Sequence, residues 1–452
     1  MRVIRPLSAL AAALSVVTVL AFPAVSDDTA GPTTPVRHFV YLMQGGRSFD
    51  NYFGAFPGAD GIPAGACQPR IVKGGSGDCV RPFPLHGTVP APLHPTRSLI
   101  SAQVDGGRMD GFVSAFTRQG RDGAPAMGHY DERDLPFSWA VARENVLFDR
   151  FFSVVPFGVG AERHQWVAAS SPPGGGQTIP AGGHDDRPTI FDRLGQAGVS
   201  WKFYVEGYRP DETFRSPDST QPVRAPLLGY ARFVDDPALR GHIADLGQYY
   251  RDLEKGSLPA VSYIASSGSA ERSAHAIPAG QKLIRGVVTQ LMLSRYWDSS
   301  ALLWSYDGSG GWYDHVPPPT TAHGPRGLRV PAVLVSPYAR VGHVDHTVLD
   351  SAGALRFIED NWRLKPLTAR DANARSIAGA FDFTQAPREP AVLPVEAAAP
   401  EGTRSVHSAI VYRVYGGAAA LVALVLGAAV LTARRGSGPP QSPPSSPEGP
   451  PS

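Results

Sequence analysis

Ala301-Leu302-Leu303-Trp304-Ser305-Tyr306-Asp307-Gly308-Ser309-Gly310-Gly311 is the most informative stretch of this chain. Its first six residues are almost all apolar and end abruptly, which reads as a strand buried on both faces. A carboxylate and a run of small residues follow at once, as they do where a strand ends in an open α/β sheet. Near the front, Phe39-Val40-Tyr41-Leu42-Met43 leads into Gln44-Gly45-Gly46-Arg47-Ser48 with the same grammar. Residues 199–205 and 330–335 read as further strands. Apolar residues at helical spacing mark 189–197, stopped by Gly198, and also 281–296 and 351–362. This alternation implies an α/β layer fold with a mostly parallel central sheet, and places any chemistry after Met43 and Tyr306.

Working outward, the 452 residues include 49 glycines and 44 prolines, about a fifth of the chain, which predicts long loops and excludes a uniform helix bundle. A formal charge of +2 excludes a nucleic-acid partner held by phosphate neutralisation. With 42% hydrophobic residues the chain buries a full core. Residues 1–26 read as a cleaved signal peptide: Arg2 and Arg5, an apolar run over 7–22, then Ala24-Val25-Ser26. Residues 410–433 read as one transmembrane helix, uncharged from 414 to 433 and followed by Arg434-Arg435 on the expected cytoplasmic side. The expected order is therefore signal 1–26, ectodomain 35–383, Pro/Ala-rich stalk 384–408, span 410–433 and Pro-rich tail 434–452. That is a single-pass cell-membrane protein with its ectodomain outside the cytoplasm. Cys67 and Cys79 are the two cysteines, and outside the cytoplasm they are expected to form a disulfide.

The motif Gly45-Gly46-Arg47-Ser48-Phe49-Asp50-Asn51 and the late motif Tyr306-Asp307-Gly308-Ser309-Gly310-Gly311-Trp312-Tyr313-Asp314-His315-Val316 resemble those of the bacterial phosphoesterase family, which includes phospholipases C and a secreted acid phosphatase. Met127-Gly128-His129-Tyr130, Leu135-Pro136-Phe137, Trp201-Lys202 and Leu355-Arg356-Phe357-Ile358-Glu359 are similar to other segments of that family, in the same order. The resemblance implies an alkaline-phosphatase-like fold and hydrolysis of phosphoester bonds with a divalent metal.

Departures fall on the positions that do this chemistry. Where the family has a Glu-Asn pair, this chain has Gly45 and Gly46, which offer no side-chain oxygen to a cation. Asp307 keeps one carboxylate, while Gly308 replaces its partner and Ser309 a histidine. The register ending at Arg163 puts Val159 at the nucleophile and Glu162 at an asparagine, and valine cannot attack phosphorus. Arg272 stands at one family histidine, with His275 three residues on, and Ser351 stands at another.

The residues kept are Arg47, Ser48, Asp50 and Arg163, expected to bind ligand, and Asp307, Asp314 and His315, remnants of a catalytic site with Asp307 a metal ligand if one is used. His38 reads as a core histidine. The reading is a membrane-anchored phosphoesterase-family protein, catalytically impaired and acting as a pseudoenzyme that binds a ligand or partner. No cofactor is expected, unless the site is active and takes a divalent metal. A phosphorylated ligand or lipid headgroup is the expected partner; the sequence points to no particular protein. The alternative is an active phospholipase C-like phosphodiesterase or acid phosphatase with a rearranged site, using Ser48 or Ser309 with Asp307, Asp314, His315 and His275. A purely structural surface protein is a third reading.

Overall fold

Continuous apolar runs build the centre of the sheet. In chain order the strands are β1 (His38–Gln44), β2 (Val146–Phe148), β3 (Trp201–Val205), β4 (Ile243–Asp245), β5 (Val261–Ala265), β6 (Ser300–Tyr306), β7 (Ala332–Val335) and β8 (His343–Asp345). In space they lie in the order β8-β2-β7-β6-β1-β5-β3-β4. β7 is antiparallel to both neighbours, and every other pair in this sheet is parallel. All seven residues of β6 are buried, so both sheet faces are covered, as its unbroken apolar run requires. The sheet is thus α/β and mostly parallel.

The structure is a computed structural model that describes residues 31–391 apart from 73, 74, 88, 89, 91, 92, 217, 273 and 323. The expected signal 1–26, most of the stalk, the span 410–433 and the tail 434–452 lie outside the described residues. Among the described residues, no helix is long and apolar enough to cross a membrane.

Five helices matter for the site: α1 (Phe49–Phe53), α2 (Val159–Ala168), α3 (Ile190–Gln196), α4 (Ile277–Met292) and α5 (Ser351–Asn361). Thr189 caps α3 through a reciprocal capping box with Asp192. α4 begins and ends four residues earlier than its apolar spacing suggests, because Pro278 suits the first helical turn. Cys67 and Cys79 are disulfide-bonded, their Cα atoms 5.7 Å apart, at the base of a hairpin formed by Gln68–Val72 and Gly75–Val80. His38 is half-buried, its Nδ1 3.0 Å from the Pro259 carbonyl, as a satisfied structural histidine.

The register decides which loops meet. Gln44 pairs with Tyr306 and Met43 with Ala265, so β1, β6 and β5 end together. The Asp307 N–H donates to the Gln44 carbonyl at 3.0 Å, and Ser266 Oγ donates to the Met43 carbonyl at 2.9 Å. Residues 45–46, 307–311 and 266–272 are thereby gathered at one carboxyl edge.

Candidate ligand site

Asp307 leaves β6 directly into this edge and is met by two guanidinium groups. Its Oδ2 accepts from Arg163 Nε at 2.9 Å and from Arg272 Nη2. Arg163, on α2, is wholly buried. Its Nη1 and Asp307 Oδ1 are buried without a hydrogen-bond partner among the described residues. Arg272 is about a third exposed, its side chain showing 32%.

What lets Arg272 in is the pair of glycines opposite. A Cβ on Gly45 would lie 2.7 Å from Arg272 Nη2, and one on Gly46 would lie 2.8 Å from the Arg272 Cα. Gly46 also has φ +81°, a left-handed backbone that glycine adopts without strain. The family's Glu-Asn pair and this arginine therefore compete for one space. A third guanidinium, Arg224, donates from Nη1 to Ser267 O at 3.3 Å and to Ser267 Oγ at 3.2 Å.

Arg224, Arg272, Asp307, Gly308 and Ser309 line a cavity of about 930 Å³ together with the apolar Ile100, Val155, Pro156, Phe157, Val159 and Ala270. Val159 opens α2 on this wall. With the Gln177 amide turned as its hydrogen bonding requires, its carbonyl accepts from the N–H groups of Val159 (2.8 Å) and Gly160 (2.9 Å). Gln177 so satisfies donors that a helix start leaves open. Glu162 does the same for the preceding loop, accepting at Oε2 from Val154 N–H (2.8 Å) and Val155 N–H (3.1 Å). Burial pushes the Glu162 carboxyl up to about 8.

The other retained residues lie elsewhere. Arg47, Ser48 and Asp50, expected to bind ligand, are fully buried and do not line the cavity. Arg47 donates to Glu271 O at 2.8 Å and Asn51 Oδ1 at 3.1 Å, with its guanidinium 4.7 Å from the centre of the Trp312 ring. Ser48 Oγ donates to the Tyr313 carbonyl at 2.6 Å and accepts from Asn51 N–H, capping α1. Asp50, Asp314 and His315 gather around Arg329 instead of Asp307. Arg329 donates to Asp50 Oδ1 at 2.9 Å and to Asp314 Oδ1 at 2.8 Å, while the His315 N–H donates to Asp50 Oδ2 at 2.8 Å. Burial pushes Asp314 up to about 7; burial opposes the His315 cation, but the side-chain bond between its Nδ1 and Asp50 Oδ2 (2.8 Å) raises His315 above its ordinary value. His275 is exposed and off the cavity wall, and Ser351 is buried at the start of α5.

The sequence profile of the phosphoesterase family matches residues 36–365, a span that includes every strand of the sheet and all five helices named above. This chain belongs to the phosphoesterase family. Its similar relatives within reach of sequence comparison include a non-hemolytic phospholipase C of Pseudomonas aeruginosa, 27% identical over 438 residues, covering 80% of this chain and 59% of that protein. Phospholipase C A of Mycobacterium tuberculosis is 27% identical over 421 residues, covering 79% of each chain. This chain spans less than two thirds of the Pseudomonas relative's length. Among solved structures, an alkaline phosphatase superfamily protein from Vibrio parahaemolyticus aligns over 76% of this chain and 70% of its own, at 10% identity and a TM-score of 0.38.

Hard cations take several oxygen ligands. At the cavity, Asp307 is the carboxylate on the wall, its Oδ2 serves two guanidiniums, and Arg272 fills the space beside Gly45. That set does not fit a divalent metal. Asp50, Asp314 and His315 have ligand atoms within 4.8 Å of one another, as do His86, Asp131 and Asp134. In the first group the cation already in place is Arg329, and in the second Arg133 pairs with Asp131.

Sequence reading alone missed three contributors. Arg224 comes from a short helix far along the chain and shows itself only through its contact with Ser267. Gln177 belongs to a glycine-rich loop with no motif. Glu271 was visible in the Ala270-Glu271-Arg272 segment, but not its role as the buried anchor of that loop.

Proposed function

We propose that this protein is a ligand-binding member of the phosphoesterase family that does not carry out metal-dependent hydrolysis, held at the cell membrane by residues 410–433 with the cavity facing outward. One observation carries the reading: the Arg272 guanidinium stands against Gly45 and Gly46 and pairs with Asp307. A fixed organic cation takes the place in which the family resemblance puts metal ligands. It neutralises the carboxylate but has no open coordination position with which to activate water or polarise a phosphoryl oxygen.

Magnitudes support the same view. Losing a nucleophile alone costs on the order of 10⁶-fold in rate, and losing one electrostatic contact costs about 10²–10³-fold. Val159 and the Arg272–Asp307 pair make both losses together. The alternative of a rebuilt active site is left with Ser309, since Ser48 spends its hydroxyl proton on the Tyr313 carbonyl. Ser309 lines the cavity, and its Oγ accepts a long bond, 3.4 Å, from the Gly311 N–H.

The test is hydrolysis of a chromogenic phosphate monoester and a phosphocholine diester by the purified full-length chain, with Ca²⁺, Mg²⁺, Mn²⁺ and Zn²⁺ each supplied. No turnover above buffer is expected. Turnover that disappears in Ser309→Ala or Asp307→Ala establishes the alternative. For the tether, the full chain is expected in the membrane fraction and a chain ending at residue 409 in the medium.

A further inference from the structure

The cavity has a charge imbalance that the family's metal chemistry does not explain. Arg224 and Arg272 line it, and Arg163 reaches the same Asp307 from behind the wall; Asp307 is the carboxylate on the wall among the described residues. Glu206 also acts on Arg224, while its Oε2 accepts from Ser267 N–H, Ser269 N–H and Ser269 Oγ. Three guanidiniums against two carboxylates leave one positive charge in excess. Burial lowers Arg224 and the Arg272 charge lowers it further, against Asp307 and Glu206, which raise it, so a bound anion relieves a cost that these carboxylates offset in part.

Donors are available for that anion. Arg224 spends one nitrogen on Ser267 and Arg272 one on Asp307, and neither makes another hydrogen bond among the described residues. Guanidinium forks match the oxygens of a tetrahedral oxyanion. Ile100, Val155, Pro156 and Phe157 give the same cavity an apolar portion of its lining. Cationic and apolar lining together describe a ligand with an oxyanion head and an apolar substituent.

We propose that this cavity binds a phosphate monoester without any metal, the phosphate dianion between Arg224 and Arg272 and the organic group against Pro156, Phe157 and Ile100. A monoester presents three phosphoryl oxygens to the two guanidinium forks, whereas a diester presents two. The proposal rests on the non-hydrolytic reading above, since the same guanidinium that displaces the metal supplies the phosphate contact.

Calorimetry on the detergent-solubilised full-length chain, in EDTA, tests it with inorganic phosphate, butyl phosphate, hexyl phosphate and dibutyl phosphate. Hexyl phosphate should bind and remain intact. Each buried methylene should tighten binding about fourfold, so hexyl should exceed butyl by roughly tenfold or more. Dibutyl phosphate and the Arg224→Gln variant should each lose about tenfold, the worth of a charge-assisted contact. Phe157→Ala should flatten the dependence on alkyl length while the chain keeps its melting temperature within a few degrees. Competition by phosphatidic acid in mixed micelles assigns the phosphate to a lipid; competition by glycerol phosphate alone assigns it to a soluble ester. No binding and no hydrolysis in any arm overturns this inference and leaves the non-hydrolytic reading intact. Binding in EDTA followed by turnover when metal is added does the reverse. Binding that appears only with metal overturns both.

Discussion

Arg47 Nε donates to the main-chain oxygen of Glu271 at 2.8 Å, so a buried cation after β1 fixes the residue that precedes Arg272. The Glu271 side chain is held just as firmly. Its Oε2 accepts from the Tyr52 and Tyr306 hydroxyls at 2.8 and 2.7 Å, and its Oε1 from Gln281 Nε2 at 3.0 Å. Arg47 thus acts on the cavity at one remove, by setting the loop that delivers Arg272.

Arg47→Ala should therefore cost about 3 kcal/mol, since hydrogen bonds to a charged group are worth about 1.5–3 kcal/mol each and the aromatic cage of Tyr52, Tyr130 and Trp312 loses its cation. Urea unfolding of the variant beside Arg47→Lys measures it. The lysine should recover part of the loss, because it keeps the charge but not the fork. An Arg47→Ala chain as stable as the parent contradicts this placement.

Glu162 predicts a pH dependence whose sign is fixed. Burial raises its carboxyl from an ordinary 4.5 to about 8 in the folded chain. Between those values the folded state holds a proton that the unfolded state has released, so this group's stabilising contribution falls as pH rises. Glu162→Gln keeps an oxygen for the Val154 and Val155 N–H groups but cannot ionise. Relative to the parent, the variant should gain stability steadily from pH 5 to pH 8.5 in urea titrations. Parallel curves for the two proteins rule out a raised Glu162.

The Cys67–Cys79 bridge spans 12 positions. Closing so short a loop restricts the unfolded chain by about 3 kcal/mol. Cys67→Ser with Cys79→Ser should lower the melting temperature by several degrees, measured by calorimetry, while leaving ligand binding at the cavity within about twofold, since neither cysteine lines it.

How far the sequence could be read follows from what each residue depends on. β1, β6 and β7 were legible because five or more near-continuous apolar residues leave a buried strand little alternative. β2, β4 and β8 have three residues each, too few to show a period, and β5 was missed beside Gly-Ser loops. At the site, Asp307 and the glycine substitutions were visible at once from their places after strands. Arg47 and Asp50 were visible too, but their burial was not: a charged residue next to a strand end reads as exposed until its partners, Glu271 O and Arg329, are known. That Arg272 fills the gap opposite Gly45 needed the register of β5 against β1, a relation between segments over 200 residues apart.

That relation predicts an exchange. If Arg272 is the cation that replaced a metal, the replacement should be reversible at two positions. Gly45→Glu brings a carboxylate to the edge of β1, and Arg272→His removes the group 2.7 Å from its Cβ while supplying a nitrogen ligand. Asp307 Oδ2, relieved of one guanidinium, becomes a third ligand. Gly46 is left unchanged, because its φ of +81° and the Arg272 main chain at 2.8 Å would both resist a side chain. The double variant should bind about one Mn²⁺ per chain by calorimetry, and Asp307→Asn in that background should abolish it. Each single variant should bind none: in Gly45→Glu the new carboxylate pairs with Arg272, and Arg272→His alone leaves too few oxygens. The parent should bind none at this site either, and its phosphate monoester affinity should fall in the double variant in EDTA. One Mn²⁺ per parent chain, lost on Asp307→Asn, would mean that guanidinium and metal share the edge instead of excluding one another.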